Sequence, residues 1–286
     1  MSTMANFHIA HILPKSRDYQ GMKGYTEIAQ TLVWGLRELG HTVTTAVNEF
    51  ASDATNIIVG AQVLPPDVQK QLPPSTIVYN LEQLRAIAVA DLRDEIRVYA
   101  QDFQIWEYSP FNMPLWAALN TKYAPKLVPV GYAPILTRIG RPANQDIDVL
   151  LYGLPSEQRM QAFQRVASKG LVVVFLSGLY GDARDNLIGR SKVILNVTAY
   201  PSRIFEIVRV SYLLSNRKAV VSDLWDNSGI EDGFRDILTF SWMPGLAETC
   251  LSLVDDPAQR EALENAGFEF FSKRDIRLIL KNALQS

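Results

Sequence analysis

The stretch Ser202-Arg203-Ile204-Phe205-Glu206-Ile207-Val208-Arg209-Val210-Ser211-Tyr212-Leu213-Leu214, followed by Ser215-Asn216-Arg217-Lys218 and Ala219-Val220-Val221-Ser222-Asp223, decides the fold. Ser202 has the chemistry of an N-cap, and Ile204, Ile207, Val208, Ser211 and Leu214 recur at helical spacing, which predicts a helix from Ser202 to Leu214. The Ser215-Asn216 turn ends it, and Ala219 to Ser222 reads as a short buried strand. Glu206 and Arg209 then fall on the first turns of one helix, at the carboxyl edge of an inferred sheet. A carboxylate and a guanidinium beside free backbone N–H groups suit a nucleotide carrying a sugar or phosphate.

Outward from that stretch the same rhythm extends in both directions. Ile147 to Tyr152, Leu171 to Leu176 and Val193 to Val197 read as strands, with helices at Ser156 to Ser168 and Ala183 to Arg190 between them. After Asp223 come a strand ending at Trp242 and three helices, Pro244 to Val254, Pro257 to Phe271 and Arg274 to Leu284. The first half follows suit. Phe7 to Leu13, Thr42 to Val47, Asn56 to Val59, Thr76 to Tyr79, Phe103 to Trp106 and Lys126 to Val130 are strand-like. Helices are expected at Tyr25 to Leu39, Pro65 to Leu72, Ala86 to Tyr99 and Pro110 to Asn120. Two consecutive α/β halves predict two Rossmann-like domains facing one another across a cleft. The polar, Gly- and Pro-bearing segment 135–146 is the expected linker, between an N-terminal domain over 1–134 and a C-terminal domain over 147–286.

Composition narrows the function classes. The chain has 286 residues with a formal net charge of −2, so the overall field does not point to nucleic acid. A single cysteine, Cys250, excludes an internal disulfide and a cysteine-rich metal site, and its setting predicts the buried side of a helix. The sequence carries no signal-peptide pattern and no apolar run long enough to cross a bilayer, so the cytoplasm is the expected location.

Several constellations can carry chemistry. The loop Gly21-Met22-Lys23-Gly24-Tyr25, between the first strand and first helix, lets backbone amides approach a ligand, although it lacks the third glycine of the dinucleotide fingerprint. His8 and His11 fall on opposite faces of the first strand, so they do not make a joint metal site; His11, nearer the carboxyl end, is the functional candidate. Glu82 and Glu107 lie just past two strands and are candidate general bases. In the second half, Gly153, Ser156, Arg159, Tyr180, Gly181, Asn196 and the Ser202 to Arg209 stretch all map to one inferred sheet edge. No Ser-His-Asp order, HExxH motif or P-loop is present.

The runs Asp148 to Gly153 and Ser191 to Asn196, the block Ile204 to Arg209 with Arg217 to Ser222, and the closing Glu264 to Phe271 resemble the C-terminal domain of GT-B glycosyltransferases. The likeness is to the group 1 (family 4-like) kind and the related CgeB-like enzymes, over roughly residues 147 to 275; the N-terminal half matches only in architecture. The resemblance implies hexosyl or pentosyl transfer from a nucleotide-diphosphate sugar, with no cofactor and no bound metal. It implies a ribose-binding role for Glu206 and diphosphate contacts from Ser202, Arg203 and Ile204. The same donor site takes in Gly21, Gly24, Gly153, Arg159, Tyr180, Asn196, Phe205 and Arg209. His11, Glu82 and Glu107 are the catalytic candidates of the N-terminal, acceptor-binding domain, the acceptor being a glycan, lipid, protein or nucleic acid. Domain closure would exclude water and align the acceptor oxygen. In that family a second glutamate precedes the first, and here its position holds Thr198. The same frame also suits a nucleotide-sugar epimerase or hydrolase, or a binding module without catalysis.

Overall fold

The computed structural model describes residues 4–14, 21–85 and 87–285. The chain divides into two compact units, 1–133 with 275–286, and 134–274. Each is an α/β layer built on a parallel sheet.

In the first unit β1 (Asn6–His11), β2 (Thr42–Val47), β3 (Thr55–Val59), β4 (Ile77–Asn80), β5 (Gln104–Glu107) and β6 (Lys126–Leu127) form a six-stranded sheet in the order β2-β1-β3-β4-β5-β6. Every pairing is parallel. Helices α1 (Thr26–Glu38), α2 (Pro66–Gln69), α3 (Asp94–Asp102) and α4 (Met113–Ala118) connect the strands. The chain passes from β1 to β2 on one side and from β3 to β4 on the other, so the carboxyl ends of β1 and β3 mark the switch point of this sheet, where open α/β layers take ligands. Sequence expectation and structure part in two places here. The expected helix from Ala86 is a 3-10 turn at Val89–Asp91 and then α3, with Ala86 itself outside the described residues. The expected strand through Val130 pairs only over Lys126–Leu127, because β5 has ended at Glu107 and offers just one further carbonyl, to Val128 N.

In the second unit β7 (Ile147–Tyr152), β8 (Val173–Leu176), β9 (Ser191–Asn196), β10 (Ala219–Leu224) and β11 (Thr239–Trp242) form a parallel sheet in the order β11-β10-β9-β7-β8. Helices α5 (Glu157–Ala167), α6 (Asp182–Arg190), α7 (Ile207–Ser215), α8 (Phe234–Ile237), α9 (Leu246–Asp255) and α10 (Pro257–Ser272) surround it. Ser156 caps α5 by accepting from Arg159 N, as its sequence position predicts. Val149, Leu151, Val193, Leu195 and Val221 pack with Leu246, Cys250 and Leu253 in one fully buried cluster, and burial pushes the Cys250 thiol up to about 12. Here the switch point lies at the carboxyl ends of β7 and β9.

The last helix, Ile276–Gln285, corrects the expected boundary of the second domain at 286: it belongs to the first unit. Its apolar side chains Ile276, Leu280 and Ala283 recur at helical spacing and are buried. Gly35 of α1 lets them approach, since a Cβ there would lie 2.8 Å from Leu280 Cδ1. Burying Ile276 and Leu280 stabilises this docking by roughly 1.5–3 kcal/mol each. Ile276 N donates to Tyr132 O at 3.1 Å, and Lys126 Nζ to Ala283 O at 2.8 Å. No described helix is long and apolar enough to cross a membrane.

Candidate functional site

The decisive stretch folds differently from its local pattern. Ser202 is not the N-cap, and α7 begins at Ile207. Tertiary pairing overrides the cap: Arg203 turns into the left-handed region at φ 51°, Gly229 N donates to Arg203 O, and Phe205 N donates to Gly229 O. Ile204 therefore bridges to Gly229 in extended backbone, and Phe205 packs against Phe234 and Phe240. Glu206 takes the N-cap position, its carbonyl accepting from Arg209 N and Val210 N at 3.0 Å. Its side chain does not cap the helix, which leaves the carboxylate for other partners.

Those partners are two arginines at the switch point. Arg159, only 2% exposed, donates Nη2 to both Glu206 oxygens at 2.9 and 3.2 Å. It also donates Nε to Val197 O at 2.9 Å and Nη1 to Leu154 O at 2.8 Å. Arg209 pairs with Glu206 from the next turn and donates Nη1 to Asn196 Oδ1 at 2.9 Å, its guanidinium lying beside the Tyr152 ring. Burial, and then the neighbouring Arg209 charge, push Arg159 below the ordinary arginine value. Gly153 makes this convergence possible. Its φ is 135°, and a Cβ there would stand 2.7 Å from Arg159 Nη1 and 2.8 Å from Arg209 Nη2. Gly153, Arg159, Asn196, Glu206 and Arg209 are thus one cluster.

A second carboxylate sits one strand over. Asp223, near the end of β10, accepts from Thr198 N at 3.0 and 3.1 Å, from Thr198 Oγ1 at 3.0 Å and from Trp225 Nε1 at 2.7 Å. Burial raises its pKa, and those donors oppose the rise. Trp225 in turn carries the Arg203 guanidinium 4.1 Å above its ring. Ser202 is buried in the turn before Arg203, and Tyr180 lies beyond the carboxyl end of the edge strand β8.

The first unit gathers a separate group at its own switch point. Glu82, following β4, accepts from Tyr25 Oη and Gln62 Nε2, both at 2.6 Å. His11, at the end of β1, donates Nε2–H to Met22 O at 2.8 Å, and burial lowers its pKa. His8 bonds Thr44 Oγ1 and Glu49 O instead. Gly21 opens the 3-10 turn Gly21–Tyr25, and space beside Gly24 is open; Lys15 to Gln20, the rest of the expected polar loop, lie outside the described residues.

The expectation that Glu107 serves as a base meets a carboxylate with no exposed surface. It accepts four N–H bonds: Asn80 Nδ2 and Trp116 Nε1 at 2.7 Å, Ser109 N at 2.8 Å and Asn112 Nδ2 at 3.0 Å. Burial pushes its pKa up to about 7 against the pull of those donors. Asn80 and Asn112 also hold the loop that carries Glu82. Both donate to Glu82 O, and Asn112 Oδ1 accepts from Leu84 N and Arg85 N.

Asp223 and Trp225 in the second unit, and Gln62, Asn80 and Asn112 in the first, complete these clusters without having been singled out as site residues from the sequence, and Thr198 stood out only as the position of the family's second glutamate. Asp223 is legible by the strand-end rule that selects Asn196; Asn112 carries no local signal. Among the described residues no group of three or more His, Cys, Asp or Glu side chains is placed to hold a metal ion.

No protein-family model matches the chain, and no curated protein matches its sequence. Solved structures do match in fold. HepE from Anabaena, crystallised with UDP and glucose, superposes with a TM-score of 0.63 at 11% identity, over 99% of this chain and 100% of that one. Sucrose-phosphate synthase from Thermosynechococcus elongatus gives 0.62 at 12% identity, over 98% of each chain. AviGT4, a glycosyltransferase of avilamycin A biosynthesis, gives 0.59 at 12% identity, over 98% of this chain and 96% of that one. The chain has the two-sheet α/β fold of these GT-B glycosyltransferases along its whole length.

Proposed function

We propose that the chain is a glycosyltransferase that moves a sugar from a nucleotide-diphosphate sugar to an acceptor hydroxyl without a bound metal. The observation that carries the reading is the Glu206 carboxylate, fixed at a sheet switch point by Arg159 and Arg209. It stands in a fold shared end to end with HepE, whose structures include complexes with UDP and with UDP-glucose.

Roles follow from exposure. Arg159 is spent on Glu206 and two backbone carbonyls, so it positions the carboxylate. Glu206 is assigned to the ribose hydroxyls. Arg209, at 18% side-chain exposure, and Arg203, presented on Trp225, are assigned to the diphosphate, where their charge offsets what develops on the leaving group. In the first unit Glu82 is the carboxylate assigned to the acceptor proton. Glu107 holds the Glu82 loop, and His11 ties Met22 to the sheet.

Calorimetry with UDP, GDP and TDP and their sugars tests this, with product analysis in the presence and absence of acceptors. Nucleotide binding lost in Arg209→Ala supports it. No binding by the wild type to any of the panel refutes it. A second reading, a nucleotide-sugar-binding module without turnover, is favoured by Thr198, whose hydroxyl and amide are both committed to Asp223. Binding without turnover across an acceptor screen would select it.

A further inference from the structure

A cavity of about 260 Å³ opens in the second unit at the opposite, amino edge of the sheet, among the segment Thr137 to Arg141, the Asn216-Arg217-Lys218 corner and the middle of α10. Its floor holds two ionisable groups at 4% and 2% exposure, Lys218 and Glu264. Lys218 Nζ donates to Ser191 O at 2.8 Å; Glu264 lies close enough to favour its charge, but among the described residues no carboxylate makes a salt-bridge contact with it. Glu264 Oε2 takes Arg141 Nη1 at 2.7 Å, so these two charges largely cancel, while the buried Oε1 has no hydrogen-bond partner.

Arg217 is the exposed wall. Its guanidinium lies flat on the Phe268 ring, 3.5 Å from the centroid. Stacking holds it by its face and leaves the N–H edge free for a planar or tetrahedral oxyanion. Its backbone is left-handed at φ 49°, just beyond the end of α7, where glycine is the unstrained choice. Cations at a helix end do offset its dipole. A solvated side chain would do that as well, however, and Lys218 is buried. Arg141, Arg217 and Lys218 stand against Glu261 and Glu264, so the cavity lining keeps a net positive charge. A buried ammonium with no carboxylate in direct contact is a costly arrangement that an anion relieves.

We infer that this cavity is a binding site for a small oxyanion, a phosphoryl or carboxylate group held between Arg217 and Lys218, separate from the Glu206 cluster. The inference does not depend on the proposed transferase activity. Inorganic phosphate and citrate serve as probes, followed by calorimetry and, for phosphate, 31P NMR on the full chain. One of the two binds the wild type with a dissociation constant of about 1 mM or tighter. The exposed Arg217→Glu weakens that binding by about tenfold or more, and Lys218→Met does the same, whereas Arg209→Ala at the other sheet edge leaves it intact. Preference for phosphate assigns a phosphoryl ligand and preference for citrate a carboxylate one; either supports the site. The inference is overturned if neither probe binds the wild type, if binding survives Arg217→Glu in a folded protein, or if it is lost in Arg209→Ala.

Discussion

Removal of the Glu206 carboxylate strands a buried cation, and the size of that effect can be worked from its neighbours. Arg159 is 2% exposed, and its other N–H groups reach only the neutral carbonyls of Val197 and Leu154. In Glu206→Ala the guanidinium keeps its desolvation and loses its counter-charge, which costs about 3–5 kcal/mol. At about 2–4 °C per kcal/mol for a unit of this size, the melting point falls by roughly 10 °C. Arg159→Met is a different injury. Glu206 keeps Arg209, but Val197 O loses its donor inside the core, a cost of about 1–3 kcal/mol. The double variant Arg159→Met with Glu206→Ala removes both charges, so most of the Glu206 penalty disappears and the cycle gives a coupling of about 2–4 kcal/mol. Denaturant unfolding of the four proteins measures it. Coupling near zero, or a Glu206→Ala protein melting within about 2 °C of wild type, would show that the pair is solvated and the burial argument wrong.

Three further outcomes follow from single contacts. Glu107→Gln turns two of four acceptor contacts into donor against donor, since Asn80 and Asn112 are fixed by Glu82 and cannot flip; unfolding curves should show a loss of about 3 kcal/mol, and an unchanged curve would mean the network relaxes. Gly153→Ala places a methyl against both guanidinium groups at φ 135°, so nucleotide affinity measured by calorimetry should drop by about tenfold or more, and retained affinity would remove Gly153 from the site. Burial lowers the Lys218 pKa from 10.5 to about 8. The unfolded chain therefore holds the extra proton between those two values, and stability rises with pH across that window by about 3 kcal/mol. Melting curves of wild type minus Lys218→Met isolate this rise, and its absence would place the ammonium in water.

What the sequence made legible was whatever depends on short-range pattern. Ile147–Tyr152 reads as a strand because Ile147 and the run Val149 to Tyr152 stand between polar turns, and it is one. Ser156 reads as a cap and accepts from Arg159 N. The pattern failed where distant backbone competes. Ser202 has the chemistry of a cap, but pairing through Gly229 pulls residues 203 to 205 into extended form, and the helix waits for Ile207. The last helix carries a clear amphipathic face, yet periodicity names no partner; only the gap at Gly35 says that Ile276 and Leu280 cover α1. Glu107 satisfied the strand-end rule, but its four donors come from β4, the turn after β5 and α4, a convergence that spacing along the chain does not encode.

The same geometry separates the two carboxylates at the second unit's ligand edge. An ionised carboxylate has about four lone-pair directions. Asp223 fills them with Thr198 N on both oxygens, Thr198 Oγ1 and Trp225 Nε1, and it is 3% exposed. It can fix Thr198 and Trp225 but has nothing left for a ligand. Glu206 has Arg159 on both oxygens and Arg209 on one, which leaves capacity for one further donor without expelling either arginine. A sugar hydroxyl can fill it while both guanidinium groups keep their contacts with the carboxylate. A glutamate in place of Thr198 would face the full shell of Asp223 and gain a repulsion of like charges. Threonine at 198 is therefore the residue that the Asp223 arrangement requires, and Glu206 is the carboxylate of this edge with room for a ligand.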